Sequence, residues 1–145
     1  MHKMAADGAG NPNDEDIFIY TTGSIVPRDV VRCRVHPSVT TLPADVFFTC
    51  RELKEVELCE GLLEIEERAF FCCSALKQIA IPSTVIRIGG NAFYSCTILE
   101  DVELCEGLQE IGKYAFIECK SLKHMTIPST VAVINSSVFE QNWRR

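Results

Sequence analysis

Phenylalanine recurs at Phe47, Phe70, Phe93, Phe116 and Phe139, an unbroken interval of 23 residues. Cys50, Cys73, Cys96 and Cys119 keep the same interval, as do Leu53, Leu76, Leu99 and Leu122. Four more apolar columns stay in register. They are Cys33, Val56, Ile79, Val102, Met125; Val35, Leu58, Ile81, Leu104, Ile127; Val39, Leu62, Val85, Leu108, Val131; and Leu42, Ile65, Ile88, Ile111, Ile134. A fixed period of this size, without insertions, specifies a solenoid of stacked units. One such unit is too small to bury its own apolar face. Stacking puts column-mates over one another, and burial worth about 25 cal/mol per Å² then offsets the ordering entropy.

Two patterns alternate inside each unit. In Glu55-Val56-Glu57-Leu58-Cys59 every second residue is apolar, which is strand spacing. The equivalents are 32–36, 78–82, 101–105 and 124–128, and they predict a narrow parallel sheet. The return path Phe70-x-x-Cys73-x-x-Leu76 has a spacing of three, suited to tight 3₁₀-like turns rather than an amphipathic helix. The expected fold is therefore a mainly β solenoid of about five turns, with one sheet and short irregular returns. A slower rhythm lies on top. Glu-Leu-Cys-Glu-Gly-Leu occurs at 57–62 and 103–108, and Ile-Pro-Ser-Thr-Val at 81–85 and 127–131, so unit types alternate every 46 residues. Gly61 and Gly107 align with Thr84 and Thr130. Threonine avoids positive φ, so these glycines are not expected to mark a left-handed turn.

The motif Ile-x-x-x-Ala-Phe-x-x-Cys-x-x-Leu-x-x-Ile-x-Ile-Pro-x-x-Val runs from Ile65 to Val85 and recurs from Ile111 to Val131, with Met125 in the strand column. It resembles the BspA-type leucine-rich repeat, and the resemblance covers about residues 31–143. Two departures stand out. Gly61, Thr84, Gly107 and Thr130 occupy the place where the strictest consensus has asparagine, and Asn142 replaces the column cysteine in the last unit. The resemblance implies a leucine-rich-repeat fold and binding rather than catalysis. Members of that family include bacterial surface adhesion proteins and large sets in single-celled eukaryotes.

Outside the repeats, residues 1–16 read as a disordered polar tail and 17–30 as an N-terminal cap over a solenoid at 31–143. The far end offers only Trp143-Arg144-Arg145, which suggests a bare end able to self-associate or a fragment of a longer array. The chain begins without a secretion-type apolar segment, and no apolar run approaches the ~20 residues of a membrane span. A cytoplasmic location is expected, without membrane insertion. The net charge of −6 and 14 scattered Lys+Arg argue against nucleic acid.

Eight cysteines invite three readings: a metal ladder, disulfides or core packing. Zinc sites favour pairs at C-x₂₋₄-C, and the columned cysteines lack such partners. Packing as small hydrophobes accounts for them. Cys59 and Cys105 share a strand-end slot two units apart, roughly 10 Å, too far to bridge. Cys72 lies outside this logic and is the expected exposed thiol. With three histidines and no nucleophile elbow, phosphate loop or zincin motif, no catalytic residue, metal or cofactor is expected. Glu66 and Glu67 read as a solvated face.

The expected activity is non-catalytic protein binding through the exposed face of the sheet. The outward columns are Arg32, Glu55, Gln78, Asp101, His124 and Arg34, Glu57, Ala80, Glu103, Thr126. Arg32 should pair with Glu55 and Arg34 with Glu57. The candidate partner-binding residues are Glu55, Glu57, Gln78, Asp101, Glu103, His124 and Thr126, facing a protein or peptide with basic groups. The alternative is a structural spacer, or a fragment that self-assembles through its C-terminal end.

Overall fold

A computed structural model describes residues 16–134 and 137–139 of the chain. Most of the proposed tail, together with Asn142 and Trp143, lies outside the described residues. Ten short strands follow one another: β1 (Ile17–Tyr20), β2 (Arg32–Val35), β3 (Thr41–Leu42), β4 (Glu55–Glu57), β5 (Glu64–Ile65), β6 (Gln78–Ala80), β7 (Arg87–Ile88), β8 (Asp101–Glu103), β9 (Glu110–Ile111) and β10 (Val133–Ile134). Every pairing is parallel and, within the repeats, offset by 23 residues, as in Arg32 opposite Glu55. The chain is a β-solenoid, with no helix among its described elements.

The expected strands form the first sheet: β1, β2 and β4 pair in that order, β6 pairs with β8, and His124 bridges to Asp101. A second sheet, in the order β10-β9-β7-β5-β3, runs down an adjacent side. Its strands are two residues long, too short for any alternation to register in the sequence. Only the inward residues Leu42, Ile65, Ile88 and Ile111 announce it, and all four are fully buried.

The return path alternates its backbone bonding. Phe48 and Cys50 N–H close i→i+3 turns onto Asp45 and Phe47 carbonyls at 3.1 Å. Between them, Phe47 and Thr49 N–H reach across to Ala69 and Phe71 of the next turn at 2.8 and 2.7 Å. This alternation needs left-handed residues at two columns: Asp45, Arg68, Asn91, Tyr114 and Thr49, Cys72, Ser95, Glu118, all with φ between 55 and 65°. None is glycine, so composition gave no sign of them. Local pairing helps hold the first column. The Arg68 guanidinium donates to both Asp45 oxygens at 2.7 and 3.2 Å, which keeps that carboxyl below its usual pKa.

The column phenylalanines form a continuous stack, with centroids 5.0 to 5.9 Å apart from Phe47 to Phe139. A second ladder, Phe48–Phe71–Tyr94, stands beside it at 5.0 and 4.9 Å. At the N-terminal end Tyr20 is buried over Phe47, with centroids 6.2 Å apart, and Arg28 donates to the Phe48 carbonyl.

The 46-residue rhythm has a physical cause. The Thr84 hydroxyl accepts from Gly61 N–H at 2.9 Å and donates to the Leu62 carbonyl at 2.7 Å. Thr130 repeats both bonds to Gly107 and Leu108. Ser83 and Ser129 donate N–H and hydroxyl to the Glu60 and Glu106 carboxylates. Each Glu-Gly corner is thus clasped by the Ser-Thr corner above it. The glycine expectation needs correction: Gly61 and Gly107 do adopt positive φ, 107 and 113°, although the aligned threonines do not. The two unit types make different corners, so alignment across types misled. Thr84→Val keeps the shape but leaves the Gly61 N–H and Leu62 carbonyl without their partner. A loss of about 1–2 kcal/mol is expected in urea unfolding, and an unchanged midpoint would show that water replaces the hydroxyl.

Candidate functional site

The outer side of the first sheet carries an open concavity of about 1040 Å³. Alternation in β4, β6 and β8 decides what lines it. Ile79 and Val102 turn inward and are buried, Val56 is half-buried, and Glu55, Glu57, Gln78, Ala80 and Glu103 are exposed. Five of the seven sequence-predicted residues, Glu55, Glu57, Gln78, Asp101 and Glu103, border this concavity. His124 and Thr126 lie beyond its lining and are exposed.

The electrostatics are less one-sided than the sequence suggested. Arg32 Nε bonds Glu55 at 3.1 Å and Arg34 Nε bonds Glu57 at 2.6 Å. His124 Nδ1 lies 2.5 Å from Asp101 Oδ1. Lys54 and Lys77, from the position preceding each strand, also border the concavity. Arg32, Arg34, Lys54 and Lys77 therefore balance Glu55, Glu57, Asp101 and Glu103. Strand-column residues such as Val56, Leu58 and Ile79 supply part of the apolar lining, and Ala75 and Ile98, which strand alternation does not name, supply more. Ala75 and Ile98 occupy one repeat column, so reading every column rather than the strand alone could have found them.

Of the eight cysteines Cys33 alone borders the concavity, and all eight are free. Cys73, Cys96 and Cys119 are buried and donate S–H to the carbonyls of Phe47, Phe70 and Phe93 at 3.2, 3.2 and 3.0 Å. Each thiol thus ties its turn to the one before, a bond that column packing alone did not predict. Cys59 and Cys105, in their strand-end slot, are half-buried, with S–H directed at the Val35 and Ile81 carbonyls at 3.0 and 3.5 Å. Cys72 is half-buried as well and sits in a left-handed column, so it too belongs to the repeat.

Burial pushes the Cys33 thiol from 9.0 up to about 12 and raises Cys73. It raises Cys96 as well, reinforced by the neighbouring Cys119 thiol. A folded pKa above the unfolded one means that these neutral thiols stabilise fully below pH 9 and lose that contribution as pH rises toward 12. Native-state labelling at neutral pH should reach Cys59, Cys72 and Cys105 and spare the five buried thiols until unfolding. Mass-spectrometric site counting checks this, and early labelling of Cys73 or Cys96 would contradict it. Among the described residues no group of three or more His, Cys, Asp or Glu is arranged to hold a metal ion. No described helix is long and apolar enough to cross a membrane.

Parallel 23-residue turns with a columned Phe-Cys-Leu core define a leucine-rich-repeat solenoid. The family model for BspA type leucine rich repeats matches residues 30–143 in six copies, and the chain belongs to that family. Solved structures agree. The T. pallidum leucine rich repeat protein TpLRR is 26% identical, with TM-score 0.54, over 72% of this chain and 60% of that one. The pneumococcal vaccine antigen PcpA is 25% identical, with TM-score 0.66, over 84% of this chain and 31% of that one. A leucine rich cell surface protein from Faecalibacterium prausnitzii is 20% identical, with TM-score 0.59, over 78% and 37%. The chain thus spans less than two thirds of each of these proteins. No curated protein is significantly similar to it.

Proposed function

We propose that this chain is a non-catalytic protein-interaction module that binds through the exposed face of its first sheet. The observation that carries the reading is the concavity, which gathers Glu55, Glu57, Gln78, Asp101 and Glu103 from three successive turns onto one face. His124 and Thr126 extend the same columns toward the C-terminal turns. The balance of charge favours a protein or peptide bearing both signs, with basic groups meeting Glu103 and the Glu57 carboxylate. Repeat families present such faces as extended binding surfaces.

Peptide display selected on the whole chain tests the reading. Peptides enriched on the native protein should lose at least tenfold in affinity for the Glu57→Lys, Glu103→Lys double variant. Undiminished binding of every selected peptide would place the site elsewhere. A cytoplasmic location belongs to the same reading. It is supported by the S–H bonds of Cys59, Cys73, Cys96, Cys105 and Cys119, which require reduced thiols. Cell fractionation checks it.

A second reading, self-assembly through the C-terminal end, has its own observation. β10 is the outer strand of the second sheet, and Val133 and Ile134 are 50% and 47% exposed there. Sedimentation over a hundredfold concentration range distinguishes the two, because a monomer throughout excludes assembly.

A further inference from the structure

The first sheet is interrupted at one interface. Lys54 N–H donates to the Val31 carbonyl at 2.7 Å, Glu100 N–H to Lys77 at 2.8 Å, and Lys123 N–H to Glu100 at 2.9 Å. The equivalent bond from Lys77 to Lys54 is missing, and β4 and β6 belong to separate hydrogen-bonded sets. Elsewhere Ile81 and Val102 N–H donate forward to Glu103 and His124 at 2.9 and 3.1 Å. Their counterparts Leu58 and Val56 make no such bond toward β6.

The remainder of the same turn-to-turn interface is intact. β5 pairs with β7, Phe70 N–H reaches Ala92 at 2.7 Å, and the Phe70 and Phe93 rings stack at 5.0 Å. Ser83 and Thr84 clasp Glu60 and Gly61. Side chains follow the backbone pattern. Arg32–Glu55 and Arg34–Glu57 tie β2 to β4, and His124–Asp101 ties the next boundary after β8. Across the interruption, Glu55 is succeeded by Gln78 and Glu57 by Ala80, while Lys54 and Lys77 set like charges side by side.

We infer that the line between β4 and β6 is a built-in opening of the solenoid. The turns on either side part and close there, hinged on the continuous second sheet and the aromatic stack. The curvature of the concave face therefore adjusts at one place. The Glu60–Ser83 clasp bounds the opening at one end and the buried Leu53 and Leu76 bound it at the other. The inference concerns the free chain and does not depend on the identity of any partner.

Amide hydrogen exchange and relaxation dispersion on the full chain test it. Val56, Leu58, Lys77 and Ala80 amides should exchange at least tenfold faster than Lys54, Ile81, Glu100 and Val102, and should show millisecond dispersion. Protection within threefold of those references, or flat dispersion at all four amides, overturns the inference. Ala80→Arg supplies a cation between Glu57 and Glu103 at an exposed position. It should slow exchange along the opening about tenfold while leaving β7 and β9 unchanged. Unaltered exchange in that folded variant would show a fixed gap rather than a movable one, and would also overturn the inference.

Discussion

Phe93→Ala should destabilise the chain by about 3–5 kcal/mol, the range for removing a large buried aromatic side chain. Phe93 is fully buried, and its ring lies between Phe70 at 5.0 Å and Phe116 at 5.2 Å, within 6° of parallel to both. Truncation therefore removes two stacked contacts and leaves a cavity that neighbouring turns cannot fill, because their own rings are fixed by the same column. Against a total stability of roughly 5–15 kcal/mol, that loss leaves the variant marginal or unfolded. With an m-value of about 1–3 kcal/mol/M, the urea midpoint should fall by roughly 1–5 M. Phe93→Leu, which keeps most of the volume, should lose clearly less. Equal losses for the two variants would mean that ring stacking contributes little beyond filled space. A loss below about 1.5 kcal/mol for Phe93→Ala would mean that the stack relaxes, contrary to a rigid column core.

Gly112→Ala should cost about 2–3 kcal/mol, although it adds one methyl group. A Cβ at Gly112 would lie 2.5 Å from the Gly90 nitrogen and 2.7 Å from the Gly89 carbonyl carbon. Both are backbone atoms of the preceding turn, so no flexible side chain can move aside, and overpacking of this kind is costly. The approach is close because Gly112 N–H bonds the Ile88 carbonyl at 2.7 Å. One turn earlier Gly89 is equally confined, with a Cβ 2.7 Å from the Glu67 nitrogen. Glu66 occupies the same column two turns before Gly112 and already carries a side chain, so Glu66→Ala should change stability by less than about 0.5 kcal/mol. Thermal unfolding of the pair measures the contrast. Similar midpoints for both variants would show that the turns can separate at this corner.

Most of the architecture was legible because a solenoid writes each structural position once per turn. The Phe, Cys and Leu columns named the core, and alternation around Val56, Ile79 and Val102 named the first sheet and its outward residues. The second sheet was not legible, since two residues cannot display a period. The left-handed columns were not legible either. Asp45, Arg68, Asn91 and Tyr114 share a backbone conformation but no side-chain chemistry. For the candidate site, Glu55, Glu57, Gln78, Asp101 and Glu103 of the outward columns border one concavity, but Lys54 and Lys77 sit just outside the alternating segment and neutralise it.

The sequence by itself determined the period, the parallel stacking, the identity of the core columns and the membership of a repeat family. These follow from one constraint, that each turn can bury its apolar face only against a copy of itself. Tertiary structure alone decided what depends on the contact between particular turns. It clasped Thr84 onto Gly61, turned Cys59 and Cys105 toward carbonyls, and left β4 and β6 unpaired while their neighbours bonded. Such features vary from one interface to the next, because they depend on which two unlike corners meet. A period records what the turns share, not how any two of them fit.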